Sequence, residues 1–131
     1  ALSDIRQIGI EVAVTQTDAA ADDHKKAVCK DLVVWPRPEM TVWSGEEEAP
    51  NVPLAVIEWK TVSPSGSVVE AMRGWAKDQA WLRGYVTRFK SVEGYAVFVR
   101  TDEAKRPLRV VRIVATDLTP STDWFPLRGA Q

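Results

Sequence analysis

One apolar seam runs through the middle of this chain at helical period. Val68, Met72, Trp75, Gln79, Leu82, Val86 and Phe89 follow one another in alternating steps of four and three, which stacks them on one side of an α-helix. Gln79 is the one polar residue in it. Pro64-Ser65-Gly66 breaks the chain just upstream, and Ser67 with Glu70 three positions later forms a capping box. The helix is expected to extend to about Lys90. β-branched apolar runs flank it, Leu54 to Val62 before and Tyr95 to Arg100 after. A helix between two strands implies a crossover and some parallel pairing.

The remaining elements fit around that unit. Ser3 can cap a first helix, with Ile5, Ile8 and Val12 forming a narrow stripe, over about Asp4 to Thr15 or Gln16. A loop at Asp18–Asp23 follows. A short strand around Lys25 to Cys29 merges into, or turns just before, a strand from Asp31 to Trp35. Pro36, Pro38, Pro50 and Pro53 bracket a long loop containing Gly45 and Glu46-Glu47-Glu48, with a brief extended piece at Met40 to Trp43. Proline has no N–H to give a sheet ladder. Gly94 marks the turn into Tyr95–Arg100, and Lys105-Arg106-Pro107 separates that strand from a last one, Leu108 to Ala115. Thr119 to Gln131 is a tail whose Trp124 and Phe125 dock on the body. The expected fold class is α/β (α+β), a small mixed sheet flanked by helices. Its 131 residues, 45% of them hydrophobic, suffice for one domain with a core of its own.

Charge appears where such strands should be greasy. In Pro53-Leu54-Ala55-Val56-Ile57-Glu58-Trp59-Lys60, alternation turns Val56, Glu58 and Lys60 to one face and Ala55, Ile57 and Trp59 to the other. Lys30-Asp31-Leu32-Val33-Val34-Trp35 carries an acid into the second apolar strand. Taking a charge out of water costs roughly several kcal/mol per ion, so these groups need a partner or a task. If the two strands are neighbours, Asp31 approaches Glu58. Two hard oxygen ligands beside a cation suit a divalent metal and a phosphodiester. A buried salt bridge from Glu58 or Asp31 to Lys60 is the structural alternative.

Other residues carry weaker signals. Gln79 either bonds backbone as a core amide or reaches the acids. Arg73 and Lys77, with Arg83, Arg88 and Lys90, give the helix a basic flank, and Lys25, Lys26 and Lys30 form a second basic cluster near Asp31. His24 after Asp22 and Asp23 has no second His or Cys nearby, so a surface loop is expected rather than a metal triad. Cys29 is expected to be a small buried hydrophobe. The six tryptophans are expected mainly in the core. There is no glycine-rich phosphate loop and no GxSxG.

The element order, the acid on the second strand and Glu-x-Lys on the third make the chain similar to the PD-(D/E)xK nuclease superfamily. That superfamily includes restriction endonucleases, junction resolvases and repair exonucleases, built on an αβββαβ core. The acids lie 58 − 31 = 27 positions apart, and a capped amphipathic helix follows the second. The resemblance spans about Asp4 to Arg100. It implies a restriction-endonuclease-like core and a metal-dependent nuclease acting on DNA. Asp31 would be the first acid, Glu58 the second and Lys60 the lysine. Asp31, Glu58 and the backbone carbonyl of Trp59 would hold Mg²⁺ or Mn²⁺, and Glu11 in the first helix would be an accessory carboxylate. Gln79, Arg73, Lys77 and Lys30 would contact nucleic acid. Lys30, not proline, precedes Asp31, and an acidic loop separates the two motif strands. The alternative is an inactive nuclease-like domain that binds nucleic acid or a protein partner.

Net charge bears on the partner. At −1 it requires any phosphate backbone to be met by a local basic patch. No apolar run approaches the roughly 20 residues of a membrane span, so no membrane partner is expected. The single Cys29 excludes an internal disulfide and fits a reducing cytoplasm. The chain opens on Ala1 rather than Met, as a processed or excised piece of a longer polypeptide would. Enzymes of this shape often work as homodimers, but no stretch of the sequence marks an interface.

Overall fold

A computed structural model of the chain describes residues 2–17, 27–42, 51–101 and 107–125, the side chains of 123–125 excepted. The expected loop at Asp18–Asp23, His24, Lys25, Lys26, Trp43, Gly45, the Glu46–Glu48 run and Lys105-Arg106 lie outside the described residues. So do the side chains of Trp124 and Phe125.

Among the described residues, six strands and one long helix are arranged as a mixed α/β fold. After a 3-10 turn at Ile5–Gln7 come β1 (Ile8–Thr15), β2 (Ala27–Val34), β3 (Ala55–Val62), α1 (Val68–Arg88), β4 (Glu93–Arg100), β5 (Leu108–Ile113) and β6 (Asp123–Phe125). They lie in one sheet in chain order. Only β3 and β4, the strands joined by α1, run parallel, and every other neighbouring pair is antiparallel. The crossover expected from the helical seam is therefore present.

Helix α1 starts where its sequence directs. The Ser67 hydroxyl accepts the Glu70 N–H at 3.3 Å, and the Phe89 N–H closes the far end on the Tyr85 carbonyl at 2.8 Å. Its buried face is Trp75, Leu82, Tyr85 and Val86. These pack on Val56, Ala96, Phe98, Val111 and Ile113 of the sheet, all nearly free of solvent contact. Trp35 and Trp75 lie in the core, Trp81 is half-buried, and Trp59 is exposed on the sheet face away from α1.

The first helix is not formed. Residues 8–15 are the edge strand β1, fully registered with β2 from Ile8↔Val34 to Thr15↔Ala27 save at Glu11. Ile8, Ile10, Val12 and Val14 alternate at a period of two, and β-branched side chains fit a pleated surface better than a helix. Two members of the helical stripe, Ile8 and Val12, belong to that alternation, while Ile5 lies in the 3-10 turn. Upstream, Asp4 and Gln7 cap the 3-10 turn, and the buried Gln7 amide donates to the carbonyls of Trp35 (3.0 Å) and Pro36 (3.1 Å). The N-terminal segment is thus tied to the end of β2. The described residues of the segments expected at 25–29 and 31–35 form one continuous strand, Ala27–Val34, and β5 stops at Ile113, where Val114 bridges Asp117.

The β1–β2 pair is kinked at its middle. Glu11 has φ 51°, in the left-handed region that costs a non-glycine residue energy, and no bridge forms between the Ile10↔Leu32 and Val12↔Lys30 pairs. The kink folds Val12 over Gly9, where a Cβ would meet the Val12 Cγ2 at 2.3 Å. Gly9→Ala is accordingly expected to destabilise the protein by about 1–3 kcal/mol. In contrast, Gly84→Ala places its Cβ in open space on α1 and should stabilise by about 0.5–1 kcal/mol. Urea unfolding of both variants measures this; a Gly9→Ala protein as stable as the parent contradicts the close approach.

Candidate functional site

β2 and β3 are each eight residues long but pair only at Leu32↔Ile57, Val33↔Val56 and Val34↔Ala55. One further step in that register puts Asp31 opposite Glu58. There the ladder stops and the two carboxylates take its place. The Asp31 N–H donates to Glu58 Oε2 at 3.1 Å, and the Trp59 N–H donates to Asp31 Oδ2 at 2.9 Å. Each acid thus satisfies a backbone donor that the parting strands would leave unpaired. The two motif acids are brought together, on separate strands, where the strands separate.

Side-chain facing along β2 also departs from regular alternation. Val33 lies opposite Val56 on the helix side of the sheet, and alternation would send Lys30, three residues away, to the other side. Instead Lys30 is buried, 7% exposed, with its Nζ 2.5 Å from Glu58 Oε1 and 3.8 Å from the ring centre of Trp81 on α1. The Trp81 indole N–H donates to Gln16 Oε1 at 3.0 Å, which fixes the ring. Lys30 is therefore not on the surface where a nucleic-acid contact was expected. Its neighbour Cys29 is turned outward and exposed, contrary to the expected burial.

Burial pushes the Glu58 carboxyl above its usual range, while the Lys30 ammonium and the Asp31 N–H pull it back only in part. Lys60 faces α1 as alternation requires, but it pairs with Asp78 of the helix, Nζ to Oδ2 at 3.0 Å. Its stem lies against Gly74, where a Cβ would meet the Lys60 Cε at 3.0 Å. Partial burial works against the Lys60 charge, yet Asp78, and beyond it Asp31 and Glu58, raise its pKa above the ordinary value. Neither pairing of the salt-bridge alternative, Glu58 or Asp31 to Lys60, is formed; Glu58 pairs with Lys30 and Lys60 with Asp78.

Other candidates stand apart. Glu11 is on a strand and not a helix; the register sets it across from Asp31, but its side chain is exposed. Gln79 is half-buried, and among the described residues no hydrogen bond joins it to either acid. Arg73 and Lys77 are exposed on α1. Asp78 and Trp81 were missed by sequence reasoning. Asp78 sits beside Gln79, the polar interruption of the seam, and that interruption was the available signal.

Among the described residues no group of three or more His, Cys, Asp or Glu is arranged to hold a metal ion. The donor set present is the Asp31–Glu58 pair. Two carboxylates are within what Mg²⁺ uses, since it keeps several waters and takes further ligands from substrate phosphates. Comparison of the chain with protein-family models, characterised proteins and solved structures gives no match.

The Lys30–Glu58 pair yields a test by stability. Lys30→Met strands a buried carboxylate and is expected to cost about 3–5 kcal/mol at neutral pH. A carboxyl whose folded pKa is raised binds its proton more readily folded than unfolded, so stability falls as pH rises through that window. The Lys30→Met deficit should therefore shrink between about pH 8 and about pH 5. Lys30→Met/Glu58→Leu removes both charges and should be as stable as the parent or up to about 4 kcal/mol more so. A deficit independent of pH in urea unfolding contradicts the pairing.

Proposed function

We propose that the chain is a metal-dependent nuclease of PD-(D/E)xK type, hydrolysing phosphodiester bonds in DNA with Mg²⁺ or Mn²⁺. The observation that carries this is the meeting of Asp31 and Glu58 where β2 and β3 part. The order β1–β2–β3–α1–β4 with parallel β3 and β4 supports a restriction-endonuclease-like core. A bound divalent ion supplies Lewis-acid polarisation of a phosphate and a more acidic water. Asp31 and Glu58 would hold and orient that ion. Lys60, partly exposed between the acids and Asp78, offsets negative charge on the reacting phosphate and orders the water beside it. The exposed Arg73 and Lys77 supply the local basic patch that a chain of net charge −1 needs to meet a phosphate backbone.

A second reading, an inactive nuclease-like domain that binds nucleic acid or a protein partner, is favoured by one observation. Both site lysines already have carboxylate partners, Lys30 on Glu58 and Lys60 on Asp78. Cleavage assays separate the two. Linear, nicked, branched and single-stranded DNA are incubated with the protein and Mn²⁺. Cleavage is expected with the metal and not with EDTA, to be abolished by Asp31→Ala or Glu58→Ala, and to fall about 10²–10⁴-fold in Lys60→Ala. Cleavage that survives both acid substitutions overturns the proposal. DNA binding with no cleavage, unchanged by EDTA and by Lys60→Ala, establishes the second reading instead.

A further inference from the structure

Among the described residues, Lys30 and Glu58 are the charged side chains with less than a tenth of their surface exposed. A buried ammonium is costly unless it is paired. Lys30 is held from two sides, by the Glu58 carboxylate and by the Trp81 ring. The ring is fixed in turn by Gln16. A lysine that only closed a surface charge would need none of this.

The two oxygens of Glu58 are divided between partners. Oε1 belongs to the Lys30 ammonium, while Oε2 accepts the Asp31 N–H and lies on the side of the other acid. Lys60 cannot replace Lys30 here, because it is drawn along Gly74 to Asp78. The charges then add simply. Lys60 and Asp78 cancel, and Lys30 neutralises one of the two site carboxylates. The remaining single negative charge becomes a single positive one on binding one divalent ion, which suits a phosphate anion. A second divalent ion would have to enter against a fixed ammonium at contact distance from the oxygen it needs.

We propose that Lys30 is a built-in cation of the site, standing beside Glu58 Oε1 where a second metal ion would otherwise bind, so that Asp31 and Glu58 Oε2 take a single divalent ion. Lys30 is thus a positioning residue that sets metal number and affinity, and this rests on the metal site of the proposed nuclease. The sequence offered no such role, because undisturbed alternation points Lys30 away from Glu58.

Calorimetric titration of the full chain with Mn²⁺ tests it in the parent, Lys30→Met and Lys30→Arg. The parent and Lys30→Arg should bind one ion. Lys30→Met should admit a second ion or bind the first about tenfold tighter, since a buried like charge has been removed. In the parent, side-chain ¹⁵N NMR should show one lysine ammonium shielded by an indole ring and protected from solvent exchange, and it should persist when Mg²⁺ saturates the site. Two ions in the parent, or a folded Lys30→Met protein with unchanged stoichiometry and affinity, overturns the proposal. If Lys30→Met does not fold, the NMR signal decides: its absence, or its loss on adding Mg²⁺, overturns the proposal. Absence of any Mn²⁺ binding to the parent removes the metal site itself, a failure distinct from one metal bound identically with and without Lys30.

Discussion

The exchange of hydrogen bonds between Asp31 and the backbone at Trp59, and between Glu58 and the backbone at Asp31, is what the site depends on. Separating two strands in the middle of a sheet normally leaves N–H groups without partners, at about 1–3 kcal/mol each when buried. Here carboxylates bridge the gap, so the strands can part while remaining satisfied. The acids are consequently aimed by the backbone rather than by flexible side-chain packing. A pair so held is preorganised, the condition under which two oxygen ligands can be useful.

The surroundings make that pair tolerable. β3 is secured on its other edge by eight parallel pairs with β4, from Ala55↔Glu93 to Val62↔Arg100, so its opening toward β2 does not loosen the sheet. Helix α1 roofs the opening and contributes three groups to it: Asp78 for Lys60, Trp81 for Lys30 and Gly74, whose missing side chain leaves room for the Lys60 stem. The kink at Glu11 lies beside this device, across from Asp31 and next to the Val12↔Lys30 pair, where Lys30 turns inward although regular pleating would expose it.

Much of this was legible in the residues, for physical reasons that differ by element. Helix α1 and the parallel β3–β4 pair follow from a seam of helical period lying between two β-branched runs. The meeting of Asp31 and Glu58 follows from the rule that charge on an apolar strand needs a partner. β1 was misread because Ile5, Ile8 and Val12 satisfy a helical template while the full set Ile8, Ile10, Val12 and Val14 satisfies a strand, and the denser pattern won. Lys30 was illegible for a deeper reason. Side-chain facing is read from alternation, and β2 breaks that alternation between Val33 and Lys30, both of which are buried; only Gly9 on the neighbouring strand, with no side chain to obstruct Val12, hints at a distortion there.

Whether Asp31 and Glu58 share a divalent cation, as proposed above, is tested most directly by crystals soaked in Mn²⁺. An anomalous difference peak within about 2.0–2.3 Å of an oxygen from each carboxylate is the predicted result. Crystals in which the carboxylates keep their backbone partners and no anomalous peak lies between them, at a Mn²⁺ concentration that saturates the protein in solution, would contradict it.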